Sequence, residues 1–303
     1  METQFFVESF ARFFTYVRIT GGLHVPGQTV KSLTVLKSNQ PICEGQVNLP
    51  MPGFTVNCGF LVTFMCEEFE PKDILLIFEL HNGKKFQITG AEAASFYLHH
   101  EAAANKAEKK FFERLQAPGY DRVLEIGSRA RSGLVRKELF KGKQYTGVDI
   151  LAGENVDVVG DAHALSTHFA PESFDAIYSV STFEHLAMPW KVALELNKIL
   201  RTGGVAYLVT HQALGMHDTP WDFWRYSDTA WDGIFNTYTG FRKQETFLGG
   251  PMTLVPAIYH DHWKGFEGAY GFSISAALIE KTGPCNLKWD LDVMQAIQGI
   301  YPH

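Results

Sequence analysis

From Arg122 onward, short apolar runs of strand length alternate with stretches of helical spacing, and this rhythm limits the fold more than any other feature of the chain. The runs are Arg122 to Ile126, Tyr145 to Asp149, Asp157 to Val159, Ala176 to Val180 and Val205 to Thr210. Helical stretches fall between most of them, the clearest being Pro189 to Leu200, closed by Gly203-Gly204. Such alternation predicts a parallel α/β sheet with right-handed crossovers.

The first ninety or so residues have a different rhythm. Strand-type runs at Phe13 to Thr20, Leu33 to Leu36, Phe60 to Met65, Ile74 to Leu80 and Lys85 to Thr89 are separated by turn residues such as Gly21-Gly22, Pro26-Gly27 and Pro50-Met51-Pro52-Gly53. Asn82-Gly83 is a hairpin signal, because both residues enter positive φ easily. The pattern predicts an antiparallel β-sandwich over residues 1–90. Between Ala91 and Leu115 the chain turns rich in Ala, Glu and Lys, with Phe96, His100, Ala103, Ala107, Phe111 and Leu115 at helical spacing. A connecting helix is expected over 91–117, ended by Pro118-Gly119, and the α/β domain fills 118–303. A length of 303 residues suits two domains.

Composition removes several functional classes. The formal net charge is −6, and the lysine cluster from Lys106 to Lys110 is broken by Glu108 and followed by Glu113, as on a solvated helix face. Nucleic acids demand a basic stripe that neutralises phosphates, so no nucleic-acid partner is expected. Four cysteines without C-x-x-C spacing, Cys43, Cys58, Cys66 and Cys285, read as reduced thiols. No basic leader opens the chain and no apolar run approaches a membrane span, so the expectation is a cytoplasmic enzyme without a membrane partner.

In open α/β sheets ligands bind beyond the carboxyl ends of the strands, where glycine lets them approach the backbone. Gly127 occupies such a position. The segment from Val123 to Gly133 (Val-Leu-Glu-Ile-Gly-Ser-Arg-Ala-Arg-Ser-Gly) resembles the first motif of the class I S-adenosylmethionine-dependent methyltransferases, type 11-like. Tyr145 to Ile150 is similar to the second motif, Val158 to Leu165 to the acid-plus-small-residue turn, Phe174 to Leu186 to the fourth-strand motif, and Leu200 to Val205 to the turn before the fifth strand.

The resemblance implies a Rossmann-like methyltransferase sheet with S-adenosyl-L-methionine as cofactor. It implies that Asp149 holds the ribose hydroxyls and that Asp161 and Ala162 meet the adenine. Glu125, Gly127, Ser128, Ile150 and Ser179 complete the expected cofactor set. The sequence departs from the family's G-x-G-x-G pattern by carrying Arg129 and Arg131 at the later glycine positions. Arginine enters positive φ less readily than glycine, so the loop either runs differently or uses the arginines on the cofactor carboxylate. The departure also leaves the dinucleotide fingerprint absent, against a nicotinamide oxidoreductase. Each acid has a plainer structural reading: Asp149 could cap the following segment, and Asp161 the turn from Ala162.

A methyltransferase must align an acceptor with the sulfonium methyl, and an alcohol acceptor is helped by a base. Of the twelve histidines, His211 after the fifth strand is the preferred base, with His185 after the fourth as alternative. The segment from His217 to Ser227 (His-Asp-Thr-Pro-Trp-Asp-Phe-Trp-Arg-Tyr-Ser) is similar to a loop of methyltransferases from glycan and secondary-metabolite biosynthesis. His217, Asp222, Trp224 and Arg225 are therefore the candidate acceptor-binding residues; Asp222-Arg225 reads equally well as a structural ion pair. His260-Asp261-His262 with Asp218 is a weak metal pattern, since surface histidines at that spacing commonly hold none, and no metal is expected.

The expected function is methyl transfer to a hydroxyl of a sugar or small-molecule acceptor by in-line displacement. The alternative is a methyltransferase-fold binding or scaffold protein without turnover. For the N-terminal part the expectation is either a homo-oligomer surface or a share in the acceptor pocket.

Overall fold

A computed structural model describes residues 2–13, 15–51, 53–98, 105–131, 133–254 and 270–297. The chain divides into two compact units, Met1–Ala102 with Thr253–Ala269 and Ala103–Met252 with Tyr270–His303. His100, His260, Asp261 and His262 lie outside the described residues.

The first unit is antiparallel, as its turn-punctuated runs predict. Strands β1 (Gln4–Phe13), β2 (Tyr16–His24), β3 (Val30–Lys37), β4 (Gln40–Leu49), β5 (Gly59–Met65), β6 (Ile74–Leu80) and β7 (Lys85–Thr89) form one sheet in the order β1-β2-β5-β4-β3-β6-β7. The run expected at Phe13 to Thr20 straddles the β1–β2 turn, and β4, outside the expected runs, alternates only half-buried Cys43, Gly45 and Val47 with exposed Glu44 and Gln46, a weak apolar signal.

The expected sandwich of separate sheets is replaced by one sheet that curls on itself. Phe5 of β1 and Phe78 of β6 have ring centroids 6.0 Å apart. Five strand spacings separate β1 from β6, and these would put them about 24 Å apart in a flat sheet. Residues from both ends, Val7, Ile19, Val62, Leu33, Leu76 and Phe78, accordingly share one core.

Helix α1 (Gly90–Leu98) belongs to the first unit and α2 (Lys106–Leu115) to the second, so the single connecting helix expected over 91–117 is two helices. The reason is Asn105. Its backbone is extended and its side chain accepts from the Glu108 N–H, which starts α2 afresh.

The second unit carries β8 (Arg122–Ile126), β9 (Gln144–Asp149), β10 (Val158–Val159), β11 (Phe174–Val180), β12 (Leu200–Thr210), β13 (Phe241–Thr253) and β14 (Tyr270–Lys281) in the order β10-β9-β8-β11-β12-β14-β13. Strands β8 to β12 pair parallel and β14 runs antiparallel to β12. Strand order reverses between β8 and β11, the switch point at which open α/β sheets bind ligands.

The central strands are apolar on both faces. Leu124, Ile177, Ala206 and Leu208 pack against Val192, Leu196 and Ile199 of α3 (Pro189–Ile199). Val123, Ala176, Tyr178 and Tyr207 pack on the other side against Ala107, Phe111 and Leu115 of α2. A strand covered on both faces must be hydrophobic throughout, which is why these runs stood out in the sequence. Short 3-10 turns at Arg136–Phe140 and Ala162–Thr167 lie in the β8–β9 and β10–β11 connections, and α4 (Ala230–Ile234) follows β12. Among the described residues no helix is long and apolar enough to cross a membrane.

Asp175 ties the starts of the three central strands. Its carboxylate accepts from the Asp121 and Arg122 N–H groups at 3.1 and 2.8 Å, from the Arg122 guanidinium at 2.7 Å and from Arg201 at 2.9 Å. Burial alone would push this carboxyl up; Arg122, the two N–H groups and Arg201 outweigh it and lower it to about 2. The stability this contributes is present above the unfolded carboxylate value and is lost as pH falls toward about 2. We expect Asp175→Asn to cost about 2 kcal/mol near neutral pH, with the deficit relative to the parent shrinking at acid pH. Denaturant midpoints of both proteins across that range check this.

Candidate functional site

Strand β8 ends in a turn that only glycine can make here. Gly127 has φ +74°, its N–H donates to Val148 O at 2.9 Å, and a Cβ would lie 1.9 Å from Thr182 Oγ1. Thr182 and Ser181 follow β11, so the turn is held against the neighbouring strand's exit at the switch point. Gly133, also at φ +74°, makes the second left-handed residue of the loop. Arg129 and Arg131 are not among the residues with positive φ, so the departure from the glycine pattern carries no backbone strain.

A cavity of about 670 Å³ opens above these strand ends. Its wall carries Gly127, Asp149, Ile150, Gly160 and Ala162 from the exits of β8 to β10, and Ser181, Thr182, His185, His211, His217, Asp218 and Trp221 from the segments after β11 and β12. Asp149 ends β9, where its carboxylate accepts from the Leu151 N–H at 3.0 Å and the Arg129 N–H at 3.3 Å, with Arg129 Nε 3.6 Å away. Arg131 reaches across to Asp218 with two hydrogen bonds of 2.6 and 2.8 Å, joining the glycine loop to the segment after β12. That pairing lowers the Asp218 carboxyl. Neither arginine is therefore an uncommitted charge.

Four of the expected cofactor residues do not line the cavity. Glu125 is fully buried beneath the loop, accepting from Tyr145 Oη and from Asn155 at 3.2 Å, and burial pushes its carboxyl up. Ser128 is buried against Gly147. Ser179 is buried and donates to Ile126 O at 3.1 Å. Asp161 takes the plainer role, capping the turn from Ala162 through His163 N and Nδ1 at 2.8 and 2.7 Å. His163 Nε2 accepts from the Met188 N–H at 3.1 Å, so its proton sits on Nδ1, toward Asp161. Gly127, Asp149, Ile150 and Ala162 remain on the cavity wall.

Of the acceptor candidates, only His217 lines the cavity. Asp222 is 1% exposed and accepts from Arg225 Nη1 and Nη2 at 2.6 and 2.8 Å and from the His217 N–H at 2.9 Å. Arg225 holds that carboxyl well below the usual range. The guanidinium also donates to Leu214 O and Gly215 O. The pair is a clasp that shapes the loop, as its i, i+3 spacing allows. Trp224 lies off the cavity, donating to Ala187 O at 3.4 Å and meeting Trp190 edge-on.

The least expected feature is Glu184. Its carboxylate is fully buried; Oε2 accepts from Thr210 Oγ1, while Oε1 has no hydrogen-bond partner. Three histidine Nε2 atoms surround Oε1: His211 at 3.1 Å, His185 at 3.8 Å and His217 at 3.9 Å. His211, the nearest of the three, is close enough for the Glu184 carboxylate to push its ring up. Burial would raise the Glu184 carboxyl, but His211 and Thr210 outweigh it and lower it. Sequence reasoning singled out His185 and His211 but not the acid beside them. An acid four residues past a strand end is legible only as surface until the fold buries it.

Residues 124–208 match the model of a family described as a methyltransferase domain. Solved structures resembling the chain include an S-adenosylmethionine-dependent methyltransferase from Archaeoglobus fulgidus (17% identity, 57% of this chain and 97% of that one, TM-score 0.42). Another is the YcgJ protein of Bacillus subtilis (19% identity, 57% and 96%, TM-score 0.40). A third is the 1,6-didemethyltoxoflavin-N1-methyltransferase of Burkholderia thailandensis, with bound 1,6-didemethyltoxoflavin and S-adenosylhomocysteine (14% identity, 58% and 77%, TM-score 0.42). No curated protein matches.

Gly127→Ala should destabilise the fold by about 1–3 kcal/mol, from left-handed strain and the clash with Thr182. Adding Thr182→Ala should recover only the steric part; thermal unfolding of the single and double variants measures the split.

Proposed function

We propose that this chain, whose residues 124–208 match a methyltransferase-domain family, is a class I S-adenosylmethionine-dependent methyltransferase that delivers the methyl group to a hydroxyl of a sugar or small-molecule acceptor by in-line displacement. S-adenosylmethionine fits the site in three respects. Gly127, left-handed at φ +74°, brings bare backbone to the cavity wall where the cofactor's methionine end would approach. Asp149 presents an acid at the end of β9, where a ribose diol would sit. Gly160 and Ala162 leave space for a flat base.

When bound, the cofactor supplies an electrophilic methyl on a sulfonium. The chain's own residues then have separate tasks. Asp149 accepts from the ribose hydroxyls. At the exit of β12, His211 accepts the acceptor's hydroxyl proton at Nε2, because its Nδ1–H is committed to Ser273 O at 3.0 Å. The imidazolium that results is stabilised by the fully buried Glu184 Oε1, 3.1 Å away. Leu186, Leu214 and Trp221 give the cavity an apolar wall against which a ring can lie. The observation that carries this reading is the His211–Glu184 pair, with His211 on the wall of the cavity that Asp149 also lines.

Replacing Asp149 by Ala should weaken S-adenosylmethionine binding about 100-fold, the loss of two hydrogen bonds to a charged group, as read by calorimetry. His211→Ala should leave that affinity intact and lower kcat by about 10² to 10⁴. Full activity in His211→Ala would move the base elsewhere. The acceptor class is tested by assaying S-adenosylhomocysteine release with hydroxylated, amine and carbon acceptors. Transfer confined to nitrogen or carbon would overturn the hydroxyl, and binding without release on any acceptor would favour the scaffold role.

A further inference from the structure

The cluster around Glu184 has a second property that proton transfer does not require. His185 Nδ1 lies 2.7 Å from Trp221 O, His211 Nδ1 3.0 Å from Ser273 O, and His217 Nδ1 3.1 Å from Gly215 O. A carbonyl oxygen only accepts, so in each ring Nδ1 carries a proton, and in the neutral ring Nε2 is left with a lone pair. All three Nε2 atoms are within 3.9 Å of the same oxygen, Oε1 of a carboxylate that is 0% exposed. Three such nitrogens converging on a buried anion call for a cation among them, a proton on one ring or a metal ion shared by all three.

We propose that Glu184, His185, His211 and His217 form a binding site for a divalent transition-metal cation such as Zn2+, with one oxygen and three nitrogen ligands at the acceptor end of the cavity. A backbone carbonyl on the far nitrogen of each imidazole is the outer shell that orients metal-ligating histidines and fixes their tautomer. The spacing also suits an ion. Bonds of about 2.0–2.1 Å in tetrahedral geometry separate ligands by about 3.3 Å. The distances from Oε1 are 3.1, 3.8 and 3.9 Å, so each nitrogen lies within an ångström of ligand spacing from that oxygen, with His185 the ligand that must move in toward the other three. Glu184, His211 and His217 offer ligand atoms all within 4.8 Å of one another.

Imidazole ligands favour Zn2+, Co2+ or Ni2+ over Mg2+ and Ca2+, which take oxygen. The competing set of His185, His217 and Asp222 is the weaker one, because Asp222 is already engaged by Arg225 and the His217 N–H. This inference concerns the same residues as the proposed base but not the acceptor's identity. Ligation occupies the Nε2 lone pair that otherwise takes a proton, so metal-loaded and proton-accepting forms of the cluster exclude each other.

The test reads metal directly. The full chain is stripped with a chelator and titrated with Zn2+ by calorimetry, and with Co2+ by visible absorption. One equivalent of Zn2+ is expected, together with the intense visible bands of a four-coordinate Co2+ site. His217→Ala, in a part-exposed loop residue, and Glu184→Gln should each weaken binding about 10–100-fold. Absence of binding by the parent chain would overturn the site and leave only the proton-accepting role. Binding equally tight in the parent and in His217→Ala would also overturn it, by locating the ion elsewhere. Neither result touches the methyl-transfer assays, so failure of this inference and failure of the hydroxyl reading are separately visible.

Discussion

The burial of one carboxylate organises the functional end of this molecule. Glu184 follows β11 in a short 3-10 turn, and its backbone carbonyl accepts from the Phe223 and Trp224 N–H groups at 2.8 and 3.2 Å. Its side chain accepts from Thr210 at the end of β12. The segment after β12 is thereby stitched to the exit of β11, with Tyr226 adding an N–H to His211 O and a hydroxyl to Phe183 O at 3.0 Å. An unpaired buried charge is costly, so each group that satisfies Glu184 is held in place by it. His185, His211 and His217 are the groups left to meet its remaining oxygen.

That arrangement depends in turn on the sheet. Because β8, β11 and β12 are buried on both faces, their ends cannot shift independently, and the exits of β8, β9, β11 and β12 present their loops to one cavity. The Gly127 turn is packed against Thr182, so the cofactor end and the acceptor end share a strand exit. Asp175 performs the corresponding task at the opposite edge, where Arg122 and Arg201 bring the strand entries together. The division of labour is physical: apolar faces give rigidity, and polar atoms at the strand ends give chemistry.

Most of the α/β domain was legible in the chain. Doubly buried strands leave continuous apolar runs, and Gly127 and Asp149 stand where strand exits require them. The N-terminal strands were legible where apolar residues cluster, but β4, rich in Gln, Glu and Asn, was not. Its place in the sheet is earned by pairing with β3 and β5. The connecting helix was misread for a local reason, since helical spacing continues through Asn105 while its side chain caps a new start. Asp222 and Arg225 were legible as residue types and ambiguous as roles. Burial, which spacing does not report, made them a clasp.

Local chemistry in the sequence thus determined the alternation of elements, the glycine turn, the acid after β9 and, through ordered motifs, the class of cofactor. These depend on neighbours within a few residues, where periodicity and conformational preference act. The company that Glu184 keeps was decided only by tertiary structure. His185, His211 and His217 approach Oε1 from the exit of β11, the exit of β12 and the loop beyond it, and Ser273 from β14 orients one of the rings. The convergence of lone pairs on a buried oxygen is a property of the closed sheet, because it depends on which strand ends become neighbours and on how far water is excluded from among them.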